Sequence, residues 1–213
     1  MSKYKCVIFD CDGVLVDSEI ISIQVLVDMA NAHGANIDLD YGFKYFKGSF
    51  MQACIEKISS LATMPLQENF ETEYRQKSFE AFKNNVKPVE GVKIVLDNLN
   101  IPFCVASSGP ENKIRLNLEL TGLLPYFENN IFSCYTIQKW KPEPDVFLWA
   151  AGTMGFKPNE CLIIEDSLSG VRAAKRGGFD VFGYTAHDYN NELKHEATKT
   201  FRSMNELLKI ISP

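Results

Sequence analysis

Histidine is scarce in this chain. Only 3 occur in 213 residues, and none accompanies a cysteine or serine that could serve as its nucleophile. That argues against a zinc site and against a Ser-His-Asp triad. No Cys-x-x-Cys pair occurs among the 6 cysteines. Cys6, Cys104 and Cys161 lie in apolar, strand-like runs where a reduced thiol acts as a small hydrophobe, so the expected compartment is a reducing cytoplasm. An excess of basic residues is missing too: 22 Lys and Arg face 27 Asp and Glu, for a net charge of −5. This counts against a nucleic-acid or anionic-membrane partner, and an anionic substrate must be attracted locally. No apolar run exceeds a strand or a turn or two of helix, which leaves no membrane span. Met-Ser-Lys-Tyr-Lys leads straight into the first strand and leaves no room for a signal peptide. Low-complexity segments, internal repeats and long coiled coils are also lacking, and a monomer is the default expectation. The 46% hydrophobic and 23% charged residues are typical of a soluble globular protein, and a length of 213 residues allows one large α/β domain or a core with a modest insertion.

What is present centres on residues 6–18. Cys6, Val7, Ile8 and Phe9 form a short apolar run suited to a strand buried on both faces, and the run stops at Asp10, Cys11, Asp12 and Gly13. Ligands of open parallel sheets bind beyond such strand ends. Two carboxylates this close repel each other unless a proton or a cation intervenes, and oxygen-only ligands favour magnesium. Taken alone, Asp10 and Asp12 read as turn residues closing the strand. Cys11 reads as a spacer between them.

Further along, Val14, Leu15 and Val16 read as a short extended segment, and Asp17 and Ser18 as caps of a helix over 19–33 that Gly34 ends. Residues 37–84 hold helical periodicity and no strand-like run, the pattern of a separate helical cap. Within it, Phe46-Lys47-Gly48-Ser49 is either an ordinary turn or a specificity loop. After the return at 88–91 come a helix over 92–99, a strand over 102–106, a helix over 111–121, a loop over 123–127, a strand over 131–133, a helix over 145–154, and strands over 161–164 and 179–184. Residues 190–200 read as a polar surface loop, and Ser203 with Glu206 caps a final helix over 204–211. Ser107-Ser108-Gly109-Pro110 can be a phosphate corner or a common strand-to-helix turn. Glu165-Asp166 repeats the strand-end acid pattern, which strengthens the metal expectation.

The string Phe-Asp-Cys-Asp-Gly-Val-Leu-Val-Asp-Ser-Glu, residues 9–19, resembles the first motif of the haloacid dehalogenase-like (HAD) hydrolases. Ser107, Lys141 in Lys-Pro-Glu-Pro-Asp, and Glu165-Asp166 resemble the three motifs that follow in that family, in the same order. The resemblance implies a Rossmann-like, doubly wound parallel sheet with an inserted all-helical cap: core over 1–16 and 86–213, cap over 17–85. It also implies Asp10 as nucleophile, Asp12 as general acid/base, and Ser107 and Lys141 as stabilisers of phosphoryl charge. Magnesium is expected on Asp10, Asp12 through its carbonyl, and Asp166, with Glu165 acting through water. Candidate substrate residues are Lys47, Gly48, Ser108, Gly109, Asn112 and Lys113.

The implied activity is hydrolysis of a small phosphorylated metabolite through an aspartyl-phosphate. Asp12 disfavours the dehalogenase and phosphonatase branches, which lack an acid there. The hexose-phosphate mutase branch carries a cap histidine where Ser22 stands and an arginine beyond the Lys-Gly turn, where this chain has Ser49-Phe50-Met51-Gln52. Longer strings, among them Phe46-Lys47-Gly48 and residues 107–113 and 137–142, resemble the branch that acts on 6-phosphogluconate. A sugar phosphate is therefore the expected substrate class. The mutase, and a non-catalytic phosphate-sensing or protein-binding module, are the alternatives.

Overall fold

The structure, a computed structural model, describes residues 3–47, 49–186, 188 and 191–211. The chain divides into two compact units, Met1–Asp17 with Lys87–Pro213, and Ser18–Val86.

The first unit is an α/β layer structure. Strands β1 (Cys6–Phe9), β2 (Phe103–Ser107), β3 (Ile131–Ser133), β4 (Cys161–Glu165), β5 (Asp180–Tyr184) and β6 (Lys199–Phe201) form a sheet in the order β3-β2-β1-β4-β5-β6. Every neighbouring pair is parallel. β1 and β4 are buried along their whole length, which is why they read as unbroken apolar runs rather than alternating ones. Cys6, Ile8, Cys104, Ala106, Cys161 and Ile163 face one side of the sheet and pack with Val146, Phe147 and Val171 of the helices that cover it. On the other side Phe9 meets Phe103 and Phe127 edge to face. Strand order reverses between β1 and β4, the place where open α/β sheets leave a crevice at their carboxyl ends. Asp10 lies there, its N–H bonded to the Ile164 carbonyl at 2.9 Å.

The second unit is helical: α1 (Glu19–Ala32), α2 (Leu39–Phe46), α3 (Met51–Leu61) and α4 (Phe70–Asn85). Leu26, Met29 and Ala30 of α1 pack with Phe46, Cys54, Ile58 and Phe70. Gly34 ends the first helix at φ +82°, a left-handed conformation that glycine adopts without strain. The remaining helices, all in the α/β unit, are α5 (Val92–Asn98), α6 (Glu111–Leu120), α7 (Leu124–Phe127), α8 (Cys134–Ile137), α9 (Asp145–Thr153), α10 (Leu168–Arg176) and α11 (Met204–Ile211).

Four local expectations fail. Val14–Val16 is not extended: the N–H groups of Leu15 and Val16 both donate to the Cys11 carbonyl, which folds these buried residues into a turn. Ser18 occupies the N-cap position of α1 without a side-chain cap bond. Residues 124–127 are a short helix with proline in its first turn. The polar stretch 190–200 runs into β6 at its last two residues, and β6 pairs with β5 through Phe182↔Lys199, Gly183↔Thr200 and Tyr184↔Phe201. Only Phe201 of that strand is buried, so no alternation marks it.

Candidate active site

β1, β2 and β4 all end at one place, and each delivers polar groups there. From β1 come Asp10, 7% exposed, and two residues later Asp12. From β2 come Ser107 and the turn into α6. From β4 come Glu165 and Asp166, 1% and 5% exposed.

Lys141 ties the strand ends together. Its Nζ donates to Asp10 Oδ1 at 2.6 Å, to Glu165 Oε1 at 2.5 Å and, at 3.4 Å, to the Ala106 carbonyl. Burial works against the ammonium, but Asp10 and Glu165 beside it push its pKa above the ordinary lysine value. Burial raises the Asp10 carboxyl above the usual carboxylate range; Lys141 opposes that shift, while the charges of Glu165 and Asp166 add to it.

Both Glu165 oxygens are occupied by protein donors. Oε1 takes Lys141, and Oε2 takes the N–H and hydroxyl of Ser167 at 2.8 and 2.9 Å. Glu165 is thereby turned toward the lysine. Gly170 makes room for it, since a Cβ there would lie 1.8 Å from Glu165 Oε1. Ser167 and Gly170 were not singled out from the sequence. The Ser-x-x-Gly step at the start of α10, where Ser167 Oγ accepts from Gly170 N, is the pattern that marks them.

Asp166 packs against bare backbone at Gly13, where a Cβ would stand 2.3 Å from its Oδ2 and where φ is +78°. Asp10, Asp12, Glu165 and Asp166 together bring more negative charge than Lys141 and Lys113 offset. Among the described residues no group of three or more His, Cys, Asp or Glu is arranged as a metal cage. Asp10 and Asp166 nevertheless fit a hard divalent cation of the magnesium type, which takes one or two carboxylates and fills its remaining positions with water and phosphate oxygens.

On the β2 side, Ser107 Oγ accepts from the Gly109 N–H at 3.1 Å, and the Gly109 carbonyl accepts from Ser133 Oγ at 2.7 Å. This pins the Ser107–Gly109 turn from two sides. Ser108 Oγ lies 4.0 Å from Cys134 Sγ. Lys113, in the first turn of α6, reaches Asp12 at 2.9 and 2.8 Å. Asn112 is different: exposed, it uses its side-chain oxygen to accept the Lys113 N–H. Lys47 belongs to the helical unit, where its Nζ lies 3.0 Å from Glu19 Oε2. Gly48 lies outside the described residues. Cys11 is fully buried, and burial and the flanking aspartates hold its thiol well above the usual value, so it is a spacer.

Residues 4–178 match the haloacid dehalogenase-like hydrolase family. The chain is 33% identical over 208 residues to a 6-phosphogluconate phosphatase of Escherichia coli K12, covering 97% of this chain and 94% of that one. It is 25% identical over 190 residues to a phosphorylated carbohydrates phosphatase of Thermotoga maritima, covering 88% of each. Among solved structures, a conserved haloacid dehalogenase-like protein of unknown function from Agrobacterium tumefaciens superposes with a TM-score of 0.87 at 30% identity over 98% of both chains.

Proposed function

This chain belongs to the haloacid dehalogenase-like hydrolase family, and from that premise we propose that it is a magnesium-dependent phosphatase of small sugar phosphates, with 6-phosphogluconate the first substrate to test. The observation that carries the reading is the buried Asp10, held by Lys141 at the sheet's switch point with Asp12 two residues on.

In the proposed reaction an Asp10 oxygen forms a bond to phosphorus as the bond from phosphorus to the bridging ester oxygen breaks. Asp12 gives its proton to that oxygen, which leaves as the sugar hydroxyl. Water then attacks the aspartyl-phosphate, its proton returns to Asp12, and inorganic phosphate departs with Asp10 restored. Lys141 and the Ser107 hydroxyl offset charge on the phosphoryl oxygens, and the backbone N–H of Ser108 in the same turn adds a fixed donor. Asp10, Asp166 and the Asp12 carbonyl would hold magnesium, which supplies positive charge against the phosphoryl oxygens when bound. Glu165 serves to aim Lys141. Lys47, Ser108, Gly109 and Asn112 are assigned to the substrate.

Phosphate release from a panel of sugar phosphates, with and without magnesium, tests this reading on wild type and Asp10→Asn. The expected result is magnesium-dependent release that the substitution abolishes together with the phosphoenzyme. Unchanged turnover in Asp10→Asn would reject the mechanism, and conversion of β-glucose 1-phosphate to glucose 6-phosphate without release would replace hydrolysis by a mutase. Lys47→Ala is expected to raise KM for an acidic sugar phosphate more than for a neutral one; equal effects would remove Lys47 from a selective role.

A further inference from the structure

Lys113 stands where helix electrostatics disfavour it. α6 begins at Glu111 after the N-cap residue Pro110, so Lys113 is in the first turn, beside the positive end of the helix dipole. A cation there is disfavoured by the dipole. Holding a lysine side chain still also costs rotamer entropy. Against both costs the ammonium is drawn to a carboxylate 101 residues away, at 2.9 Å from Asp12 Oδ1 and 2.8 Å from Oδ2. Lys113 and Asp12 are 19% and 22% exposed, so this is a sheltered pair rather than a surface one.

Gly109 shows how closely the parts converge. A Cβ placed there would meet Ser107 Oγ at 3.5 Å, Lys113 Cδ at 3.6 Å and Asp12 Oδ2 at 3.7 Å. The lysine stem therefore runs past the Ser107–Gly109 turn to reach the acid. Its Nζ engages both oxygens of Asp12, so it constrains the rotation of the carboxylate as well as its position. A group that must meet one bridging oxygen at one angle gains from that constraint.

We propose that Lys113 is a positioning residue for Asp12: it holds the acid/base carboxylate in place before the phosphate ester arrives, and as the added anion draws the ammonium it releases one carboxylate oxygen, which takes up a proton from solvent and delivers it to the bridging oxygen. The inference rests on the phosphatase reading above. It differs from a role for Lys113 in simply binding substrate. A binding residue affects every substrate carrying the group it binds, whereas a residue that aims the acid matters according to how much the leaving group needs a proton.

The test is kcat/KM for wild type, Lys113→Met and Lys113→Arg, with magnesium, on p-nitrophenyl phosphate, glycerol 1-phosphate and 6-phosphogluconate. This quantity reports the steps up to leaving-group departure and is insensitive to the later hydrolysis of the phosphoenzyme. Nitrophenolate leaves with little protonation, whereas the two alkoxides do not. Lys113→Met is expected to lower kcat/KM about 10- to 100-fold for both alkyl phosphates, and at least ten times less for the aryl ester. Lys113→Arg, whose guanidinium can also engage both carboxylate oxygens, is expected to recover a large part of the loss. Equal losses on all three esters would make Lys113 a phosphate-binding residue and overturn the proposal. A loss confined to 6-phosphogluconate would make it a reader of the sugar acid, with the same consequence, and no loss on any ester would leave it without a role. Wild type inactive on all three esters would instead reject the phosphatase reading, and the proposal with it.

Discussion

Replacing Lys141 by methionine removes the one ammonium shared by two buried carboxylates. The lysine side chain is 3% exposed, and those of Asp10 and Glu165 are 9% and 1% exposed. Because one Nζ lies 2.6 Å from Asp10 Oδ1 and 2.5 Å from Glu165 Oε1, those oxygens are no more than about 5 Å apart, a repulsion of roughly 3 kcal/mol at an effective dielectric constant near 20. Breaking a buried pair by deleting one partner costs about 3–5 kcal/mol, so the repulsion accounts for most of the expected loss. For a chain of this size that corresponds to a fall in Tm of roughly 10 °C. The sign of the pH dependence follows from Asp10. Burial, Glu165 and Asp166 already hold its carboxyl above the usual range, and the substitution deletes the lysine that opposes them. A native carboxyl whose pKa lies above its unfolded value binds protons more readily folded than unfolded. It therefore destabilises the fold as pH rises through that native pKa, and the penalty disappears as pH falls toward the unfolded value of about 4. Thermal unfolding followed by circular dichroism at pH 8 and pH 5.5, without added metal, should show a gap between wild type and Lys141→Met that narrows at the lower pH. A gap under about 2 °C at pH 8, or one of equal size at both pH values, would refute this account of the charges.

Three other perturbations have defined outcomes. Gly13→Ala forces a Cβ to 2.3 Å from Asp166 Oδ2 at a residue with φ +78°. It should cost about 1–3 kcal/mol in strain and lower phosphatase activity by roughly 100-fold or more while the circular dichroism spectrum stays folded; near-normal turnover would show that Asp166 need not stay where it is. All six cysteines are buried, with the Cys6 thiol pushed up to about 12 chiefly by its hydrogen bond with Cys104. A thiol reagent such as 5,5′-dithiobis(2-nitrobenzoic acid) should find almost none in the native protein and all of them in denaturant, and fast native modification would contradict that burial. The Asn117 side chain is fully buried on α6, and neither its oxygen nor its nitrogen has a hydrogen-bond partner among the described residues. Asn117→Leu should raise Tm by a few degrees, because it removes an uncompensated polar group worth about 1–3 kcal/mol; a lower Tm would indicate a bound water satisfying the amide.

The parts of the fold that could be read from the sequence are those whose cause is local. β1 and β4 are buried on both faces, so their apolar runs and the acids that end them are visible without a partner. Glycines at positive φ, such as Gly13 and Gly34, mark turns for the same reason. β6 has no such mark: two of its three residues are exposed, and its existence depends on an open edge of β5. Val14–Val16 misleads in the opposite direction. Its three residues are fully buried and apolar, which suits a strand, yet the Cys11 carbonyl collects two of their N–H groups and makes a turn. Burial settles which residues are apolar, whereas hydrogen-bond partners settle what shape they take.

The same division runs through the candidate site. Asp10, Asp12 and Asp166 are recognisable because strand ends carry them, and the resemblance to a known family supplied roles for them. What each lysine does is a matter of pairing across the chain: Lys141 meets a carboxylate 131 residues away and Lys113 one 101 residues away. In the sequence Lys113 is a substrate candidate through the resemblance of residues 107–113, and no local pattern points it at Asp12. Its position in the first turn of α6 runs against the helix dipole, and the carboxylate it reaches is distant in sequence. A charge placed against its own helix dipole is therefore evidence of an obligation elsewhere in the fold. Lys113 engages both oxygens of Asp12, the proposed acid/base residue, and leaving-group dependence in Lys113→Met is the measurement that would reveal what the pairing does.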